Sequence, residues 1–205
     1  MAEALFRQWF VVEAKEEWGI GSLKDFASCV RDGVDPKEKQ SSTVYVGLEH
    51  IEKKKITLSQ YGDSQQVTST KFKFKRHDIL FGKLRPYFHK VCFAPFNGVC
   101  STDILVIRAK NECLFSFCLF AFFQKDVVEY ANIGSKGTKM PRTDWEILSL
   151  YPFPIPDSQT LTRFDSFCKP LIEKILSNQT KIRTLEKLRD ILLPKLISGE
   201  VRVQG

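Results

Sequence analysis

The sequence predicts an α+β (mixed α/β) domain followed by a long C-terminal coiled-coil-type helix. Three observations carry this. Between residues 43 and 108, short β-branched and aromatic segments alternate with polar turns, the pattern of strands. Residues 113–132 form a stretch too long for a strand and apolar nearly all round in its first half. From residue 157 onward, apolar residues recur at steps of three and four over more than four heptads.

The chain has 205 residues, enough for one compact domain with an appendage or two small domains. Its 43% hydrophobic and 27% charged content is ordinary for a globular protein and argues against wholesale disorder. The longest nearly apolar run, Cys113 to Phe123, is short of the roughly 20 residues a bilayer span needs. The start, MAEALFRQWF, has no basic segment ahead of an apolar one, so no signal peptide is expected. The expected location is the cytoplasm, without membrane contact. The net charge is +7, divided as −2 over residues 1–17, +6 over 18–156 and +3 over 157–205. The surplus in the middle block points to a polyanionic partner there.

Taken in order, Leu5, Phe6, Trp9 and Phe10 share one face of a short amphipathic helix over 3–12 that needs a partner surface. Trp18-Gly19-Ile20-Gly21 breaks it, and Ser22 can cap a second short helix through Val30. Strands are expected at Thr43–Leu48, Lys71–Lys75, Asp78–Leu84, Tyr87–Ala94 and Val99–Arg108. In the second of these, Lys71, Lys73 and Lys75 alternate with Phe72 and Phe74, as in a half-buried strand. A buried helix over 113–132 follows, then a loop over 134–143. Thr143 or Asp144 can cap a short turn ending near Leu150, and prolines hold 151–156 extended.

Asp157 or Ser158 can cap the final helix. Its seam is Leu161, Phe164, Cys168, Leu171, Ile175, Asn178, Ile182, Leu185, Arg189 and Leu192, with Asn178 and Arg189 the polar exceptions. From 157 to 193 it would run about 55 Å at 1.5 Å per residue, with Pro194 expected to end it. Such a helix cannot bury its seam alone. It requires another chain or the N-terminal helix.

Residue types that carry catalysis are sparse. There is no Pro-Pro dipeptide for a methyltransferase catalytic turn, no Gly-x-Ser-x-Gly elbow and no phosphate-cradling Gly-Lys-Ser/Thr. Glu52-Lys53-Lys54 with Asp35 upstream meets the minimal pattern of a metal-dependent nuclease. That pattern is short, and a lysine-rich surface loop explains it more simply. The cysteines, Cys29, Cys92, Cys100, Cys113, Cys118 and Cys168, include no C-x-x-C pair and form no ligand pattern with the histidines. No metal or cofactor is therefore expected, and the thiols read as reduced and mostly buried.

Binding has better candidates. If the strand continues past Pro86, parity places Lys83, Arg85, Tyr87 and His89 on one face, where cations and aromatics suit phosphate and base contacts. In the loop Gly134–Thr143, Lys136, Lys139 and Arg142 recur every third residue. Gly134 and Gly137 there allow close backbone approach to an anion, and Ser135, Thr138 and Thr143 add hydroxyls. Ser101-Thr102-Asp103 could read a base edge or form a turn.

With these pieces placed, the chain resembles the specificity subunit of type I restriction–modification systems over nearly its whole length. Gly21-Ser22-Leu23-Lys24-Asp25-Phe26 resembles the opening of a target recognition domain, and Tyr45–Ile51 its early strand and turn. Asp78–Arg85, Cys100–Val106, Gly134–Trp145 and Phe153-Pro154-Ile155-Pro156 follow in the family's order. The ending Leu188-Arg189-Asp190-Ile191-Leu192-Leu193-Pro194-Lys195-Leu196-Ile197-Ser198-Gly199-Glu200-Val201 is the most specific match.

The resemblance implies a short N-terminal helix (1–17), a target recognition domain (18–156) and a spacer or dimerisation helix with a tail (157–205). It implies a non-catalytic subunit that binds double-stranded DNA and directs a modification (methyltransferase) subunit and a restriction (motor–nuclease) subunit. Full-length relatives carry two recognition domains held apart by two antiparallel helices. This sequence has one, and Met1–Val12 resembles the tail of the central spacer, so the chain looks like the second half of such a subunit. It is expected to pair with itself or with another half-length subunit through Leu161, Phe164, Leu171, Ile175, Ile182, Leu185 and Leu192. A stand-alone nuclease using Asp35, Glu52 and Lys54, and a structural adaptor without DNA affinity, are the competing readings.

Overall fold

The computed structural model describes residues 1–34, 44–63, 69–137 and 139–200. The chain divides into two units, Met1–Cys168 and Lys169–Gly205. In order, the elements are α1 (Ala2–Arg7), which passes into one turn of π-helix (Gln8–Val12), then β1 (Ile20–Ser22), β2 (Ala27–Val30), β3 (Gly33–Val34), β4 (Val44–Val46), β5 (Gly62–Asp63) and β6 (Lys71–Phe74). There follow β7 (Ile79–Gly82), β8 (Val91–Phe93), β9 (Gly98–Cys100), β10 (Ile104–Ala109), α2 (Phe115–Phe123), α3 (Lys125–Ile133), α4 (Trp145–Leu148), β11 (Pro152–Pro154) and α5 (Ser158–Ile197). This is the mixed α/β architecture with a long final helix that the sequence predicts.

Two larger sheets and a two-stranded one, β1-β11, lie in the first unit. Of the larger two, one is antiparallel throughout, in the order β2-β10-β7-β8, and the second runs β3-β6-β9-β4-β5, with β4 and β9 parallel. Side chains from both sheets make one apolar cluster, including Val46, Phe74, Leu80, Cys92, Cys100, Ile104 and Val106. Strand alternation supplies it: Phe74 is buried while Lys73 beside it is exposed. The central strands β9 and β10 belong to different sheets and are joined by the turn Ser101-Thr102-Asp103. The expected single strand over 99–108 is therefore two.

A second, aromatic cluster lies around α2, all nine of whose residues are buried. Phe117 meets Phe6, Phe10, Phe26 and Phe153 at centroid distances of 5.6, 5.0, 4.8 and 5.5 Å. The N-terminal helix thus finds its partner surface here, with Phe6 and Phe10 both fully buried. Phe164, in the second turn of α5, packs on Phe6, Phe10 and Phe120. Its burial in this cluster corrects its assignment to helix pairing: the ring is an anchor of the first unit, with no surface left for another helix.

Other expectations change in instructive ways. Ser22 does begin a helical turn, and its N–H and hydroxyl both donate to Asp25 Oδ2. That turn is only the 3-10 helix Leu23–Asp25, and Ala27–Val30 pairs with β10 instead of extending a helix. The β-branched and small residues there gain a sheet partner that outweighs local helix preference. The helix expected over 113–132 breaks at Gln124, whose ψ of 139° is extended. Asp144 caps α4, accepting from the Ile147 N–H at 3.0 Å. Asp157 caps α5, accepting from the Thr160 N–H at 2.8 Å.

Helix α5 is continuous for 40 residues and runs through Pro194. A proline near a helix end forfeits one hydrogen bond but leaves its own carbonyl usable, and the Ser198 N–H donates to Pro194 at 3.0 Å. The stop is Gly199, whose φ of +76° suits the left-handed closing position. Within the second unit, Ile182, Leu185 and Leu192 are 54, 64 and 43% exposed. Leu171 and Ile175 are half-buried, as is Leu161 in the first unit. No helix among the described residues is long and apolar enough to cross a membrane.

Candidate nucleic-acid interface

The expected strand carrying Lys83, Arg85, Tyr87 and His89 does not form. β7 ends at Gly82, and Pro86–Phe88 make a 3-10 turn. Pro86 is the cause: it has no N–H for a ladder, and its fixed φ suits the first position of a helical turn. Arg85 and His89 bracket that turn with left-handed backbone, at φ 50° and 51°. His89 is buried with its ring 4.7 Å from that of Phe123, so it is not a surface contact. Burial pushes its pKa below the ordinary value of 6.5, against a hydrogen bond to the Phe123 backbone. Tyr87 is 50% exposed.

The chain leaving β7 instead meets the basic loop. The Arg85 N–H donates to the Pro141 carbonyl at 2.8 Å, and the Thr143 N–H to the Lys83 carbonyl at 3.0 Å. Leu84 and Arg142 are bridge partners, as are Lys136 and Arg142, whose backbones exchange bonds of 2.9 and 3.0 Å. Two cation groups some fifty residues apart in sequence thus become one surface. Lys136, Lys139 and Arg142 are exposed; Lys83 and Arg85 are half-buried. Arg85 Nε and Thr143 Oγ1 are buried and have no hydrogen-bond partner among the described residues. Thr138 lies outside the described residues.

The loop's small residues work differently from expectation. Gly137, at φ +95°, is where the loop turns back. Gly134 is not in that region. A Cβ there would stand 2.5 Å from Ile147 Cγ2, so this glycine permits close packing on α4. Ser135 Oγ donates to the Ala131 carbonyl at 2.7 Å and is occupied by the helix end.

One acid at this surface escaped the pattern reading. Arg142 Nη2 lies 3.1 Å from Asp103 Oδ1. Asp103 also accepts the Lys83 N–H through its carbonyl, at 3.0 Å, and its own N–H donates to Ser101 Oγ. Ser101-Thr102-Asp103 is therefore a turn that orients Arg142. The turn residues were visible in sequence; the pairing across 39 positions was not.

The nuclease-like pattern is also placed. Glu52 accepts from Lys55 Nζ and, at 2.7 Å, from Ser59 Oγ; both bonds hold its pKa down. Asp35 lies outside the described residues. Among the described residues no group of three or more His, Cys, Asp or Glu could hold a metal ion. Cys92, Cys100, Cys118 and Cys168 are buried, and burial raises the thiol pKa of Cys100 and of Cys168 to about 12. Cys113 is exposed.

The chain is 27% identical to the type I restriction enzyme MjaIX specificity subunit of Methanocaldococcus jannaschii, over all of this chain and 53% of that one. It is also 27% identical to the EcoDI specificity subunit of Escherichia coli, over 89% of this chain and 41% of that one. The chain thus spans about half the length of the curated relatives it matches. Its fold is similar to the HsdS subunit of Thermoanaerobacter tengcongensis, with a TM-score of 0.61 and 20% identity, covering 87% of this chain and 48% of that one. The S subunit of M. genitalium is similar with a TM-score of 0.58 and 12% identity, covering 89% of this chain and 46% of that one. Residues 15–190 match the family described as the type I restriction modification DNA specificity domain, and the chain belongs to that family.

Proposed function

We propose that this chain is a non-catalytic, sequence-specific DNA-binding subunit of a type I restriction–modification complex, carrying one target recognition domain. The observation that carries this is the joining of residues 83–85 to 136–142, in a chain of a DNA specificity family. Lys83, Arg85, Lys136, Lys139 and Arg142 place five cations there, with Asp103 as a paired acid. Such a surface attracts duplex DNA and gains free energy by releasing condensed counterions. Side chains of the loop then meet base edges, at about 1–3 kcal/mol for each good bidentate contact.

In this reading Leu171, Ile175, Ile182, Leu185 and Leu192 pair with a second helix. That helix belongs to another copy or to a different half-length subunit, and it sets the distance between two half-sites. Two identical copies read a symmetric inverted repeat. The partners are a modification (methyltransferase) subunit and a restriction (motor–nuclease) subunit, in the cytoplasm.

The deciding experiment combines the full chain with a modification subunit and sequences the methylation pattern left on DNA. A defined bipartite site is expected. Methylation without sequence preference, or metal-dependent cutting by the chain alone, would overturn the reading. In a salt titration, Lys136→Ala with Lys139→Ala should weaken binding and flatten its salt dependence.

A further inference from the structure

The lysines of the nuclease-like pattern sit against the Pro86–Phe88 turn. The Lys54 N–H donates to the His89 carbonyl at 2.9 Å. Lys53 Nζ stands 3.9 Å from the centroid of the Phe88 ring, and that ring packs edge-on against Tyr87 at 4.7 Å. The turn is tied in sequence to the basic loop. The Phe88 N–H donates to the Arg85 carbonyl, and the Arg85 N–H to Pro141.

Backbone strain concentrates here. The non-glycine residues with positive φ include Lys54 at 56°, Arg85 at 50° and His89 at 51°. A left-handed lysine is disfavoured, and glycine would hold the same turn more easily. Strained positions of this kind gather where a side chain serves a site.

The local charge is positive. Glu52 is engaged by Lys55 and Ser59, and neither Lys53 nor Lys54 is in an ion pair among the described residues. Burial and the nearby Lys53 lower the pKa of Lys90, and Lys54 adds to the lowering at His89. Beside them is a cavity of about 490 Å³, lined by Lys54, Tyr87, His89 and Lys125, with Glu3 and Glu129 also on its wall. An anion there would meet two lysines that have no ion-pair partner among the described residues. Cation–aromatic stacking also holds the Lys53 ammonium in place at low entropic cost.

We propose that Lys53, Lys54 and Tyr87 form a second, sequence-independent contact to the sugar–phosphate backbone of duplex DNA, continuous with the surface at Lys83 and Arg142. It rests on the proposed DNA-binding function. Each lysine displaces about one condensed counterion, and the tyrosine hydroxyl supplies a neutral donor.

The test measures binding of the full chain to target and to random duplexes across a salt series. The double variant Lys53→Ala, Lys54→Gly should lower the log–log salt slope by about two, with equal loss on both duplexes. Lys54→Gly alone should lower the slope by about one while leaving the Tm unchanged or raised, which a purely structural lysine would not do. Lys53→Arg, which keeps a stacked cation, should keep the parent slope. If the parent binds with a measurable slope and the double variant has the same slope, this contact is overturned. A parent that binds no DNA even at low salt would overturn the proposed function itself, and this contact with it.

Discussion

Arg142 Nη2 and Asp103 Oδ1, 3.1 Å apart, tie the base of the basic loop to the turn that joins the two larger sheets. The pair holds a cation in position at the cost of masking its charge. Asp103→Asn keeps the turn and removes the carboxylate. The expected result is a salt slope for DNA binding steeper by about one. Both side chains are partly exposed, so stability should change by less than about 1 kcal/mol. Anisotropy titrations and a melting curve check both parts.

Asp78 and Arg108 form a different kind of pair. Two bonds, of 2.7 and 2.6 Å, link them across the four-stranded sheet, and Asp78 also accepts the Lys75 N–H at 2.7 Å. Asp78 is buried while Arg108 is about one-third exposed. Asp78→Ala leaves a part-buried guanidinium and a backbone donor unmet. The expected loss is about 2–4 kcal/mol, somewhat under the figure for a fully buried pair because water reaches Arg108. Urea unfolding measures it.

The seam of α5 holds a buried anchor and exposed apolar positions proposed for pairing, and two substitutions separate them. Phe164→Ala opens a cavity among Phe6, Phe10 and Phe120 and should cost about 3–5 kcal/mol. Ile182→Asp, on an exposed position, should leave the unfolding of the first unit unchanged and abolish self-association or pairing. Sedimentation of both variants distinguishes the roles. Equal mass for Ile182→Asp and a monomeric parent would remove the pairing idea.

Acid should loosen the start of α5. The Thr160 N–H and hydroxyl, with Lys15 nearby, hold the Asp157 carboxyl well below its ordinary 3.8. A depressed carboxylate stabilises the fold above its unfolded pKa, and that contribution drains away as pH falls below about 4. Melting temperature should therefore drop between pH 5 and pH 2, and Asp157→Asn should flatten the drop. An unchanged profile in the variant would assign the acid lability elsewhere.

Much of this molecule is legible in local pattern. The alternation at 71–74, the caps at Asp144 and Asp157 and the apolar run at 115–123 all state their element within one or two turns of chain. Where local pattern failed, a tertiary partner had the larger effect. Ala27–Val30 follows a capped turn yet lies in a sheet because β10 is beside it. The Lys83–His89 run reads as a strand until Pro86 turns it, and parity then says nothing about which side chains share a surface.

By itself, the sequence determined the mixed α/β class, the long final helix, the basic balance of the middle block and the family. The first three are properties of short windows and of composition, and hydrophobic period or charge count reports them directly; the family shows as a resemblance carried by the order of motifs from Gly21–Phe26 to Leu188–Val201. Only the tertiary structure decided that residues 83–85 join 136–142, that Asp103 takes Arg142, that Phe164 is an anchor and that Lys53 rests on Phe88. Each of these is a meeting of residues distant in the chain. Such meetings are set by how sheets and helices pack around a shared interior, which no local period encodes.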